Sequence, residues 1–216
     1  MQFFNTLALI SSCSILVPFI AGTLNRKTMS SKTIWFYYFI VLTVPFEILS
    51  LVTALYKINN LALINIFNLL EFCFLATILI RWMVDISIQK LILINGLILI
   101  WWAWNIYTFG ISHISSYVTV AENICLLLLA GAFLVTFVKN IDLNPLTNST
   151  FWIAISIFIY FTSTIVLFTF AKYIFTPNNL QITKYYVCFH SIVNISCNII
   201  FAYAFICKRK TLITIF

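Results

Sequence analysis

The sequence predicts an all-α, polytopic membrane protein: a bundle of seven transmembrane helices, with the N-terminus outside and the C-terminus cytoplasmic. Three observations lead there. Of the 216 residues 63% are hydrophobic and 8% charged, against about 25% charged in a soluble domain, so the chain has too little charge to cover its surface in water. Seven apolar stretches approach or exceed the roughly 20 residues that a spanning helix needs. The basic residues punctuate those stretches unevenly, as lysine and arginine do at cytoplasmic helix ends. The intervening loops are too short to fold alone, so residues 1–216 read as a single transmembrane domain.

The first segment, Thr6–Leu24, follows no basic leader and carries no clear small-residue cleavage site. It reads as a retained helix, kinked where Pro18 lacks a backbone donor. The second, Thr33–Tyr56, contains Pro45 and places Thr43, Glu47 and Ser50 on one face. The third, Leu61–Val84, carries Asn65, Asn68 and Glu71, the last two being neighbours at i, i+3. The fourth, Lys90–Phe109, holds the run WWAWN from Trp101 to Asn105. The fifth, Tyr117–Lys139, opens with Thr119, Glu122 and Asn123 and then turns apolar; its small run Ala130-Gly131-Ala132 permits a close neighbour. The sixth, Phe151–Lys172, aligns Ser156, Tyr160, Ser163 and Thr164. The seventh, Lys184–Cys207, carries His190, Asn194 and Asn198 at i, i+4 and i+8, a polar stripe on one side of a helix.

Orientation follows from charge. With the N-terminus outside, the cytoplasmic side receives Arg26, Lys27, Lys32, Arg81, Lys90, Lys139, Lys208, Arg209 and Lys210, while the outer side receives Lys57, Lys172 and Lys184. Nine against three satisfies the positive-inside rule. Trp35, Trp82 and Trp152 fall at the same cytoplasmic ends, where indoles favour the interface. Asn59-Asn60-Leu61 and Asn178-Asn179-Leu180 echo each other before the third and seventh segments, consistent with either an internal repeat or chance.

Three of the five acids, Glu47, Glu71 and Glu122, lie inside apolar segments. A charged carboxylate at a helix centre costs about 2.5–3.5 kcal/mol, so each is expected to be protonated, paired or facing water. The topology places these residues with Asn68, Tyr160, His190, Asn194 and Asn198 in the outer half and midplane, above a dry inner half. Two readings stand: a ligand-binding cavity for a small polar or cationic solute, a cation or a proton, or an interhelical hydrogen-bond network that holds the bundle together.

Catalysis is not expected. The chain has no HExxH, GxSxG or Gly-rich phosphate loop, and four glycines in all. No metal site or cofactor is expected either. The six cysteines sit singly in apolar stretches and read as small buried residues. The net charge of +7 is spread along the chain and forms no nucleic-acid patch.

The stretches NIFNLLEF, FWIAISIFIYFTSTIVLFTF and HSIVNISCNIIFAYAF resemble a group of small seven-helix membrane proteins of Bacteroidota. More distantly, the chain is similar in size and span number to the multi-span accessory proteins of type VI-B CRISPR systems. The resemblance implies that Asn68, Glu71, Trp152, Tyr160, His190, Asn194 and Asn198 are the group's recurring polar and aromatic positions. It brings no activity, but some relatives look like signalling components. The expected protein is therefore a non-enzymatic sensor or receptor-like component of a bacterial inner membrane, embedded in the lipid bilayer, acting through a protein partner and open to homo-oligomer formation. The alternatives are a channel or small-solute transporter, or the membrane accessory of an antiviral defence system.

Overall fold

The computed structural model describes residues 2–84, 87–111, 116–139, 144–170 and 180–207. Lys172, the Asn178-Asn179 pair and the basic triplet Lys208, Arg209 and Lys210 lie outside the described residues. Among the described residues every regular element is helical: α1 (Gln2–Cys13), α2 (Leu16–Asn25), α3 (Ser31–Leu55), α4 (Leu61–Met83), α5 (Ile88–Phe109), α6 (Ser116–Val138), α7 (Ser149–Thr169) and α8 (Leu180–Ile206). Six segments of the described chain are long and apolar enough to cross a membrane: Thr6–Thr28, Ser31–Leu55, Leu61–Met83, Val118–Val138, Ser149–Thr169 and Gln181–Ile206. This is a multi-pass membrane protein.

The expected single first helix is divided in two. The interruption falls at Ser14 and Ile15, one turn before Pro18. A proline ring clashes with the carbonyl four residues back and gives it no donor, and here that carbonyl belongs to Ser14. By contrast α3 runs unbroken through Pro45.

Helix ends are set by local chemistry. The hydroxyl of Ser30 caps α3, accepting from the Thr33 amide at 3.2 Å. Lys57 takes a left-handed φ of 56°, so that the Ile58 amide donates to Thr53 O and the Lys57 amide to Ala54 O, a Schellman closure of α3. Asn148 caps α7, its side-chain Oδ1 accepting from the Thr150 amide at 3.0 Å and the Thr150 hydroxyl at 2.7 Å.

Neighbour packing closes a ring: α1 and α2 on α3, then α4, α6, α7 and α8, which returns to α1 and α2. The α6–α7 contact is the most extensive, and a Cβ built on Gly131 would just touch the Phe158 ring at 3.4 Å. α5 packs on α4 from outside this ring. It runs antiparallel to α4 and is tied near both ends, by Asn95 Nδ2 donating to Thr77 Oγ1 at 3.1 Å and by Asn65 Nδ2 donating to Ile111 O at 2.7 Å.

The apolar core lies in the half of the ring nearest Lys32 and Arg81, below a recess of about 690 Å³ at that end which Thr33, Thr136 and Thr150 line together with Phe133, Phe137 and Phe205. It is built on Phe36, Ile40, Leu79, Phe133, Phe137, Ile153, Ile157, Phe201 and Phe205, all buried. Trp82, expected at the interface, is turned into this core against Phe133, with ring centroids 5.3 Å apart. Trp35 remains exposed, and Trp152 donates its indole N–H to Leu146 O at 3.2 Å.

Candidate functional site

Inside the ring, toward the end opposite Lys32 and Arg81, lies a cavity of about 190 Å³. Five helices line it. α3 contributes Phe46, Glu47 and Ser50; α4 contributes Phe67, Asn68 and Glu71; α6 contributes Thr119 and Asn123; α7 contributes Tyr160 and Thr164; α8 contributes His190. Each of these polar residues sits at the middle of its helix or in the half away from the aromatic core. They meet because consecutive spans run antiparallel, so that late positions in α3 and α7 reach the depth of early positions in α4, α6 and α8.

Five of the eight residues singled out in the sequence therefore share one space: Glu47, Asn68, Glu71, Tyr160 and His190. The Glu47 carboxyl stands near the Ser12 side chain of α1. The Tyr160 ring stands beside the His190 ring, with centroids 5.8 Å apart. Glu71 lies within electrostatic reach of both Glu47 and Glu122.

Three cavity-lining polar atoms are buried without a protein hydrogen-bond partner among the described residues: Asn68 Nδ2, Asn123 Nδ2 and His190 Nδ1. Leaving a buried polar group unsatisfied costs about 1–3 kcal/mol. The three come from α4, α6 and α8 and border one cavity, where ordered water or a ligand is the available partner.

Glu122 is placed differently. It faces a crevice of about 30 Å³ between α4, α5 and α6, with Asn65, Asn68, Trp102 and Asn105 around it. That is room for about one water, and Glu122 Oε1 is buried without a protein partner among the described residues. Asn68 borders both spaces.

Asn194 and Asn198 do not line the cavity. Asn194 Nδ2 donates to Ser11 Oγ at 3.0 Å and to Ser11 O at 3.3 Å, and Asn198 Nδ2 donates to Ser14 Oγ at 2.7 Å. Both grip the interruption between α1 and α2. The stripe on α8 is thus shared between two tasks, His190 at the cavity and the two asparagines at the break.

Ser156 likewise belongs to packing. Its hydroxyl donates to Cys197 O at 3.1 Å, and Cys197 Sγ donates back to Ser156 O at 3.5 Å. Ser163 and Thr164 both donate to Tyr160 O on their own helix.

Sequence reasoning missed Asn123 as a wall of the cavity. Its neighbour Glu122 drew attention as the acid, but adjacent helix residues point about 100° apart, so only one of them can face a given space. Thr119 gives no signal between them: it lies one turn before both Glu122 and Asn123 and borders both spaces. Among the described residues the acids and His190 do not close into a group of three that could hold a metal ion.

The chain matches no family model, no curated protein and no solved structure.

Proposed function

We propose that the chain is a non-enzymatic, receptor-like sensor that crosses a bacterial inner membrane seven times, with its N-terminus outside. Its cavity takes up a small polar or cationic ligand, a cation or a proton from the outer side and passes the occupied state to a protein partner. The observation that carries this reading is the convergence of Glu47, Glu71, Asn68, Asn123, Tyr160 and His190 from five helices on one cavity that holds three unsatisfied polar atoms. A network serving only as glue would pair its members, as Asn198 and Ser14 are paired.

The course of α5 supports the seventh crossing. With 22 residues it is about 33 Å long, enough for the hydrocarbon core, and its ties to α4 lie near opposite ends of that helix. Sensing is favoured over transport by the buried aromatic layer between the cavity and the Lys32–Arg81 end. A conduit needs a polar route through that layer, which separates the cavity from the recess at the Lys32 end.

The test uses the purified full-length protein. Thermal stability in detergent is measured with sodium, calcium and methylammonium salts and across pH, alongside ion flux in proteoliposomes. The sensor reading expects stabilisation by at least one probe or by a pH change, lost in Glu71→Gln and reduced in His190→Ala, without flux. Flux that disappears in Glu71→Gln would make the protein a conduit. If no probe or pH change has an effect and both variants merely melt earlier, the cavity is structural.

A further inference from the structure

A second recess lies outside the ring, between α3, α4 and α5. It has a volume of about 480 Å³, larger than the internal cavity. Its mouth carries Lys32, the second residue of α3, and Arg81, near the end of α4. Because α3 and α4 are antiparallel neighbours, both cations stand at the same end of the bundle, and both are exposed. Arg81 is held over the Trp35 ring at 6.0 Å from its centroid, which fixes the guanidinium at the mouth. From there the recess runs along α4 past Ile78 and Thr77 to Cys73, eight residues before Arg81, a depth of about 12 Å. Its wall is mainly apolar, with the Asn95–Thr77 hydrogen bond at its far side.

We propose that this recess is a binding site for one anionic phospholipid. The headgroup phosphate sits between Lys32 and Arg81, and the upper part of an acyl chain lies along Phe74 and Ile78. Charge complementarity selects the occupant. The described carboxylates, Glu47, Glu71 and Glu122, all lie toward the other half of the bundle; Asp85, which follows the lining residue Val84, lies outside the described residues, and the described part of the mouth carries the two cations. Ser30 Oγ and Ser30 O accept from the Thr33 and Ile34 amides, and the Ser31 and Lys32 amides open the first turn of a 25-residue helix, whose N-terminal end carries partial positive charge. Exposed Trp35 belongs at headgroup depth. Basic recesses between membrane helices at an interface are where anionic headgroups bind. A free anion would use the mouth but not the apolar slot, so the slot commits the site to a lipid.

The experiment is native mass spectrometry of the full-length protein released from micelles holding equal amounts of phosphatidylglycerol and phosphatidylcholine. The expected result is a preferred single phosphatidylglycerol adduct. Each basic group near anionic headgroups contributes about fivefold, so Lys32→Gln with Arg81→Gln should weaken it roughly 25-fold. Lys57→Gln, at the opposite end of α3, should leave it unchanged. Thr77→Phe keeps both charges but fills the slot, and should also lose the adduct. Melting temperature is read for every variant, so that loss of binding is scored on folded protein. The proposal is overturned if the double variant keeps its preference, if Thr77→Phe binds as the parent does, if phosphatidylcholine is held equally well, or if millimolar inorganic phosphate displaces the adduct completely.

Discussion

Asn198 shows how a polar side chain can belong to the architecture of a membrane protein. Its amide donates to the Ser14 hydroxyl at 2.7 Å, and that hydroxyl donates to Ser11 O at 2.6 Å. Interhelical hydrogen bonds in membranes average about 0.6 kcal/mol and reach about 1.7, so Asn198→Ala is expected to lower stability by about 1 kcal/mol while leaving any ligand response intact. Thermal denaturation in detergent, with and without the stabilising probe, checks both halves of that statement. Gly22 is a second residue-scale constraint. A Cβ there would run into the Tyr37 ring, which is itself wedged against Phe205. Gly22→Val should therefore cost about 1–3 kcal/mol by overpacking, seen as a lower melting temperature.

At the scale of the element, the ends and the interruptions of the helices carry the information. The Asn148-Ser149-Thr150 triplet reads as a glycosylation sequon by pattern, yet Asn148 is the cap of α7. Asn148→Ala should cost about 1 kcal/mol and speed amide exchange in the first turn of α7, whereas Asn148→Asp, which keeps the acceptor, should not. A similar economy governs α1 and α2. Pro18 offers no amide to the Ser14 carbonyl, which accepts from the Val17 amide at 3.0 Å instead, and two asparagines of α8 bind Ser11 and the Ser14 hydroxyl at the break. The polar stripe on α8 was legible from its spacing of four. That its lower two members serve α1 and α2 was not, because spacing gives a face and not the helix that the face meets.

The whole molecule divides into a polar half and an apolar half. The cavity occupies one, and the layer of Phe36, Phe133, Phe137, Phe201 and Phe205 closes the other. Proteoliposomes of the parent protein are accordingly expected to pass no sodium or proton flux above empty vesicles, measured with a trapped fluorescent indicator. Phe36→Ala should cost about 3–5 kcal/mol through the cavity it leaves. The topology has its own check. In a cysteine-free background, Lys57→Cys and Lys139→Cys should react with a membrane-impermeant maleimide from opposite sides, Lys57→Cys from the outside.

The sequence by itself determined the class of the protein, most of the spans to within a few residues, and the position of each acid and of His190 along its helix. Hydrophobic length and the placement of charge against lipid are properties of each segment alone, so they can be read one segment at a time. Only the tertiary structure decided that Glu47, Glu71, Asn123, Tyr160 and His190 share one space, that Glu122 looks away from it, and that α1 breaks at Ser14. Those outcomes depend on the rotation of each helix about its own axis. Rotation is set by which neighbours close the ring, and no single segment contains that information.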